Sequence, residues 1–244
     1  MADQSLQEKR FFAAVQAGDT ALIASFVRTA PALLQAQAPD DQGVEDKTAL
    51  HMAVKASDHK TASLLLGLGA PLEAEDRFGA TPLLLAAQYR DKTMAERLVD
   101  AGADALATTD DGITGAMFAA QGGDIPMLEY FLAKGVDVNA QRDCGMTALH
   151  FARNAQNAYE TVCCLVFAGA DPALKGAGDV TPAELANKMG NPGFGRTIDA
   201  AIREKEIRAA AKALTDRQDR DVLEHGLPQA MTVRKSPLQL RARA

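Results

Sequence analysis

The 244-residue sequence predicts an all-α fold: a solenoid of stacked helix–turn–helix repeats with projecting turns, plus a C-terminal helical extension. Three observations carry this expectation. A Thr-led segment recurs as "TALHMAV" at Thr48, "TPLLLAA" at Thr81, "TGAMFAA" at Thr114, "TALHFAR" at Thr147 and "TPAELAN" at Thr181, at spacings of 33, 33, 33 and 34 residues. Glycines at 69, 102, 135 and 169 keep the same register, and one fixed period over several copies is the mark of a repeat array. Composition agrees: aromatics make up only 5% and Trp is absent. Small side chains suit closely stacked helices better than a β-sandwich, which favours β-branched and aromatic residues.

Residues 1–47 read as an N-terminal cap. "FFAAVQAGDTALIASFV" is a helix pair broken at Ala17–Asp19, followed by a connection longer than its internal equivalents. The first projecting turn is therefore expected to be enlarged. Four internal repeats follow, at 48–80, 81–113, 114–146 and 147–180.

The second repeat shows the logic of one unit. Thr81 can cap free N–H groups, and Pro82 stands at the first helical position. Leu83, Ala86 and Ala87 give a short first helix its apolar face. After "QYRD", Met94, Ala95, Leu98 and Val99 do the same for a second helix. Gly102 supplies a left-handed C-cap. "DRFG" and "TDDG" are tight turns with Gly79 and Gly112 at the positive-φ position. No unit can bury its own apolar face, so neighbours must stack. The fourth repeat has one extra residue, expected in its "NAQNA" loop.

Residues 181–201 close the array. Asn191 is the expected N-cap and Pro192 the first residue of a last helix, whose Phe194, Ile198 and Ile202 form a stripe at i, i+4 and i+8. Residues 202–244 read as a charged helix to about Glu224 and a basic, mobile tail.

The T-[AP]-L-H-x-A segments and the G-A-D-x-x-A segments resemble those of the ankyrin repeat family, strongly over residues 48–180 and more weakly over 6–200. The resemblance implies a structural role for His51 and His150: each would hydrogen-bond near the Thr three residues earlier and tie adjacent turns together. Leu84, Met117 and Glu184 replace that His in other units, where local loosening is expected. The resemblance also implies protein binding, by the turn tips and the inner face of the first helices. By register, the tips offer Arg77, Phe78, Asp110, Asp111, Ile113, Arg142, Asp143 and Met146, and the inner helices offer Gln88, Tyr89, Gln121 and Asn154. Ile113, Met146 and Val180 form an apolar column, and Phe78 and Tyr89 are scarce aromatics. They read equally as partner contacts with acidic neighbours or as packing between turns.

Catalytic and metal chemistry find no pattern. No nucleophile elbow, P-loop, H-E-x-x-H or spaced C-x-x-C is present, so no enzyme activity, cofactor or metal is expected. His59 and His225 share no ligand spacing. Cys163 and Cys164 are helical neighbours about 100° apart, unsuited to one metal or an ordinary disulfide. Cys163 falls in the register of Ser63, Glu96 and Glu129, and is expected on the solvent face. Cys164, in the register of Leu64, Arg97 and Tyr130, is expected in a half-buried seam.

Charge separates the body from the extension. Residues 202–244 carry 10 Lys and Arg against 6 Asp and Glu, a net +4, which leaves −10 for residues 1–201. An acidic body argues against a nucleic-acid partner. The expected partner is a protein with a basic or apolar patch, and the chain itself is expected to be a monomer. With three cysteines, no membrane-length apolar run and no apolar leader, a cytoplasmic protein is expected. The tail, with Arg234, Lys235, Arg241 and Arg243, leaves two alternatives beside a plain disordered end. It could fold back onto the acidic body. It is also similar to the C-terminal signals of type IV-secreted bacterial effectors, which would imply a bacterial source, export without a cleavable leader and a host protein as partner.

Overall fold

Twelve α-helices and two 3-10 turns make up the described part of the structure, a computed structural model in which residues 2–38 and 46–225 are described. The segment 39–45, where the first turn was expected to enlarge, and the tail 226–244, with its export and fold-back readings, lie outside the described residues. The chain divides into two units after Ile202, and the repeat stack lies in the first.

α1 (Ala2–Gln16) and α2 (Thr20–Thr29) open the stack, and a 3-10 turn (Pro31–Leu34) follows. The repeats then supply helix pairs: α3 (Ala49–Lys55) with α4 (His59–Gly67), α5 (Pro82–Gln88) with α6 (Lys92–Asp100), and α7 (Gly115–Gly122) with α8 (Ile125–Ala133). In the fourth pair, α9 (Ala148–Phe151) runs into a 3-10 turn (Ala152–Asn154) before α10 (Ala158–Ala168). α11 (Pro182–Lys188) and α12 (Gly193–His225) complete the order.

The caps explain these boundaries. Thr81 and Thr114 accept from the N–H groups of Leu84 and Met117. Asp19, Asp58, Asp91 and Asp124 cap α2, α4, α6 and α8, accepting from Leu22, Thr61, Met94 and Met127; this Asp column is not among the sequence expectations. Beyond each second helix, Gly69, Gly102, Gly135 and Gly169 take φ of +83°, +107°, +94° and +103°. There the N–H of Ala103 reaches back to the Leu98 carbonyl, and its counterparts do the same.

Two boundaries differ from expectation. The extra residue of the fourth repeat does not lie in the loop before α10. Asn157 keeps the register of Asp58, Asp91 and Asp124, so the insertion falls after it, in the first turn of α10. Asn157 makes no side-chain cap bond, and α10 is 11 residues long where α4, α6 and α8 have nine. α12 starts at Gly193, so Pro192 is not its first helical residue. Asn191 bonds the Arg153 carbonyl through its side-chain amide.

First helices pack in sequence, α1 on α3, α3 on α5, α5 on α7, α7 on α9 and α9 on α11. Their buried residues include Ala49, Ala53, Ala86, Ala87, Ala116, Ala119, Ala120, Ala148 and Ala152, which let the backbones approach. Second helices, with larger side chains between them, touch less, so the first-helix side is the inner, concave side of the stack. Leu65, Leu98, Phe131 and Leu165 form one fully buried column of the core. Phe131 is the outsized member, and Gly115 makes the room. A Cβ on Gly115 would lie 2.4 Å from the Phe131 ring, and the same position in neighbouring repeats is Ala49, Pro82 or Ala148.

Both repeat histidines are ties. His51 Nδ1 accepts from the Thr48 N–H at 3.3 Å, which leaves Nε2 protonated to donate to the Ala80 carbonyl at 3.0 Å, 29 residues away. His150 repeats this with the Thr147 N–H at 3.1 Å and the Val180 carbonyl at 3.2 Å. Burial pushes both imidazoles below the ordinary histidine range, against the pull of those carbonyls. Other residues occupy the His slot in the remaining units. Leu84 and Met117 are fully buried, and Glu184 completes a capping box with Thr181. At Leu84 and Met117, apolar packing fills the slot that the imidazole fills elsewhere.

Candidate partner-binding groove

The projecting turns before Thr81, Thr114, Thr147 and Thr181 are short hairpins, each closed by two backbone bonds. In the turn before Thr81, Asp76 N–H donates to the Ala80 carbonyl and Gly79 N–H to the Asp76 carbonyl; in the turn before Thr114, Thr109 N–H donates to Ile113 and Gly112 N–H to Thr109. Gly79 and Gly112 hold φ of +70° and +78°, as their sequence positions require. Neighbouring turns are also joined: Asp110 N–H donates to the Phe78 carbonyl at 3.1 Å and Asp143 N–H to the Asp111 carbonyl at 2.9 Å. A Cβ on Gly79 would stand 2.5 Å from Asp110 N, so glycine is needed there for both φ and approach.

Between the turns before Thr81 and Thr114 and the inner helices lies a groove of about 460 Å³. Seven of the residues expected to bind a partner line it: Arg77, Phe78, Gln88, Tyr89, Asp110, Asp111 and Ile113. Phe78 and Tyr89 are 52% and 43% exposed. The other five, Gln121, Arg142, Asp143, Met146 and Asn154, are not part of its lining. Its floor holds residues the sequence reading passed over, Leu85 and Phe118 from one inner-helix column and Lys55 from the column of Gln88, Gln121 and Asn154. Register could have found Lys55 and Phe118.

Charges around the groove are unequally engaged. Asp76 accepts from the Phe78 and Ala80 N–H groups and is 6% exposed. Asp111 pairs with half-buried Arg142 at 2.8 Å. The Arg77 guanidinium lies 4.8 Å from the Phe78 ring centroid, a cation–π contact. The apolar column splits: Val180 is buried, while Ile113 and Met146 are half-buried against the core. For Val180, packing accounts for the residue.

A sequence model of three consecutive ankyrin repeats matches residues 11–109 and again 83–175, together more than half of the chain. The chain belongs to the ankyrin repeat family. A search of curated proteins returned no match. The helical ankyrin array is thus established, and ankyrin repeats are generic protein–protein interaction modules.

The cysteines lie elsewhere in the ankyrin stack. None forms a disulfide. Cys164 is half-buried as expected, and burial, with Glu129 and Cys163 nearby, pushes its thiol up to about 11. Cys163 is half-buried as well, packed against the core rather than on the solvent face. In its register column only Ser63 and Glu129 are exposed, and Glu96 is half-buried, so the polar column does not carry Cys163 to the surface. Among the described residues, no group of three or more His, Cys, Asp or Glu is placed to hold a metal ion, and no helix is long and apolar enough to cross a membrane.

Proposed function

We propose that this ankyrin array is a non-enzymatic interaction module that holds one protein partner on its concave face, with the groove between the turns before Thr81 and Thr114 as the centre of contact. One observation carries the reading: two large aromatics, Phe78 and Tyr89, stand exposed on the same preformed groove. Aromatic anchors beside a pocket are the usual centres of binding energy. The hydrogen-bonded turns hold the surface in place before a partner arrives, which reduces the ordering cost of association. The apolar part of the expected partner patch fits this groove. A reducing, cytoplasmic setting is consistent with three cysteines that form no disulfide.

Affinity capture followed by mass spectrometry would identify a stoichiometric partner. With that partner purified, Phe78→Ala/Tyr89→Ala is expected to weaken binding by about 30-fold or more. Unchanged affinity in a folded double variant refutes this choice of surface.

A further inference from the structure

The charge left uncommitted at this groove is cationic, although residues 1–201 as a whole are acidic. Asp76 is bound up in its turn and Asp111 is paired with Arg142. Among the described residues, Lys55 has no hydrogen bond or ion pair, and the Arg77 guanidinium meets only the Phe78 ring. Among the described residues, Asp110 is the one lining carboxylate that accepts no hydrogen bond and makes no ion pair. Lys55 comes from the inner helix and Arg77 from the turn, so the cations border the apolar floor of Leu85 and Phe118 from two different elements.

Resting on the groove reading above, we propose that the occupant is a short peptide segment of the partner that presents a large apolar side chain beside a carboxylate. The apolar side chain would lie between Phe78 and Tyr89 over the floor. The carboxylate would meet Lys55 and the edge of the Arg77 guanidinium, whose planar fork suits two parallel N–H···O bonds even while its face stays on the aromatic ring. A basic partner segment would face two cations against a single available Asp110, and like-charge juxtaposition discriminates against it. The basic patch expected of the partner rests on the net charge of residues 1–201; at this groove the structure leaves one carboxylate, Asp110, available.

Random heptapeptides displayed on phage and panned on the full chain test this. The expected consensus pairs Asp or Glu with Phe, Leu or Ile. A synthetic peptide of that consensus should lose about tenfold in affinity with Lys55→Glu/Arg77→Glu, and about 30-fold with Phe78→Ala/Tyr89→Ala. Its binding should also weaken as salt is raised. All four positions are exposed, so thermal unfolding should confirm folded variants. A consensus of Lys or Arg with an apolar residue, weakened by Asp110→Lys, overturns the carboxylate inference and leaves the groove standing. A consensus indifferent to Phe78→Ala/Tyr89→Ala, or no consensus, overturns the groove itself.

Discussion

Replacing Gly115 with alanine should destabilise the array, although alanine is the better helix former. Gly115 is the first residue of α7, where the gain over glycine is at most about 1 kcal/mol. Against it stands a Cβ placed 2.4 Å from Cε1 and Cζ of Phe131, a fully buried ring. Carbon atoms settle at about 3.5–4.0 Å, so the ring would have to move by more than about 1 Å in a packed core. Overpacking of this kind costs about 1–3 kcal/mol, which leaves a net loss of up to about 2 kcal/mol for Gly115→Ala even with the full propensity gain. The remedy is in the neighbouring repeats, where Leu65, Leu98 and Leu165 occupy the Phe131 column opposite Ala49, Pro82 and Ala148. Phe131→Leu alone should cost about 1–2 kcal/mol through the cavity it leaves beside glycine. The double variant should recover to within about 0.5 kcal/mol of the parent, a large coupling for a pair in contact. Urea unfolding of the four proteins measures the cycle. Additive single effects would refute the view that Gly115 and Phe131 are one compensated pair.

Other tests follow from the same geometry. Stability should fall as pH drops from about 6.5 towards 5.5. Both His51 and His150 bind protons less readily folded than unfolded, so in that window the unfolded chain takes up more protons. The slope attributable to the pair has a ceiling of about 2.7 kcal/mol per pH unit. Placing in each slot the residue found in other repeats, as His51→Leu/His150→Met, should flatten the curve, and an unchanged slope in denaturant titrations would place the titration elsewhere. The same change should lower stability at pH 8, by about 1–3 kcal/mol at each site, because the Thr48 and Thr147 N–H groups and the Ala80 and Val180 carbonyls lose their partner. Gly79→Ala should cost more than about 1 kcal/mol through its left-handed φ alone. Hydrogen exchange at the Asp110 amide should then quicken, since the added Cβ crowds that N–H; unchanged protection would argue against the turn-to-turn bond. Cys164, with its thiol near 11, should alkylate at pH 8 over a hundredfold more slowly in the native protein than in urea, where cysteine titrates at about 8.5. Mass spectrometry after timed iodoacetamide treatment reads this directly, and equal rates would contradict the burial.

Much of the fold was legible in one pass along the chain because its determinants are local and periodic. Thr81 with Pro82, Gly102, Gly79 and the His51 slot each act within a few residues of themselves, and the 33-residue register repeats the message. Half of the groove was legible for the same reason: Phe78, Tyr89 and Asp110 occupy tip and inner-helix positions that register alone identifies. Reading along the columns would also have reached Lys55 and Phe118.

What the sequence by itself determined is the repeat unit: where its helices start and stop, where its turns bend, and that copies must stack to bury an apolar face. What only the tertiary structure decided is which side chains the stacking brings together. Phe131 explains Gly115 from the next helix, 16 residues on. Arg142 neutralises Asp111 from the next turn. Cys163 sinks into the core edge although its column is mostly polar. The physical reason is common to all three. Periodicity assigns a residue to a face, but volume and charge are balanced between faces that meet only after the helices pack, and in those contacts the groove acquired its shape and its available charge.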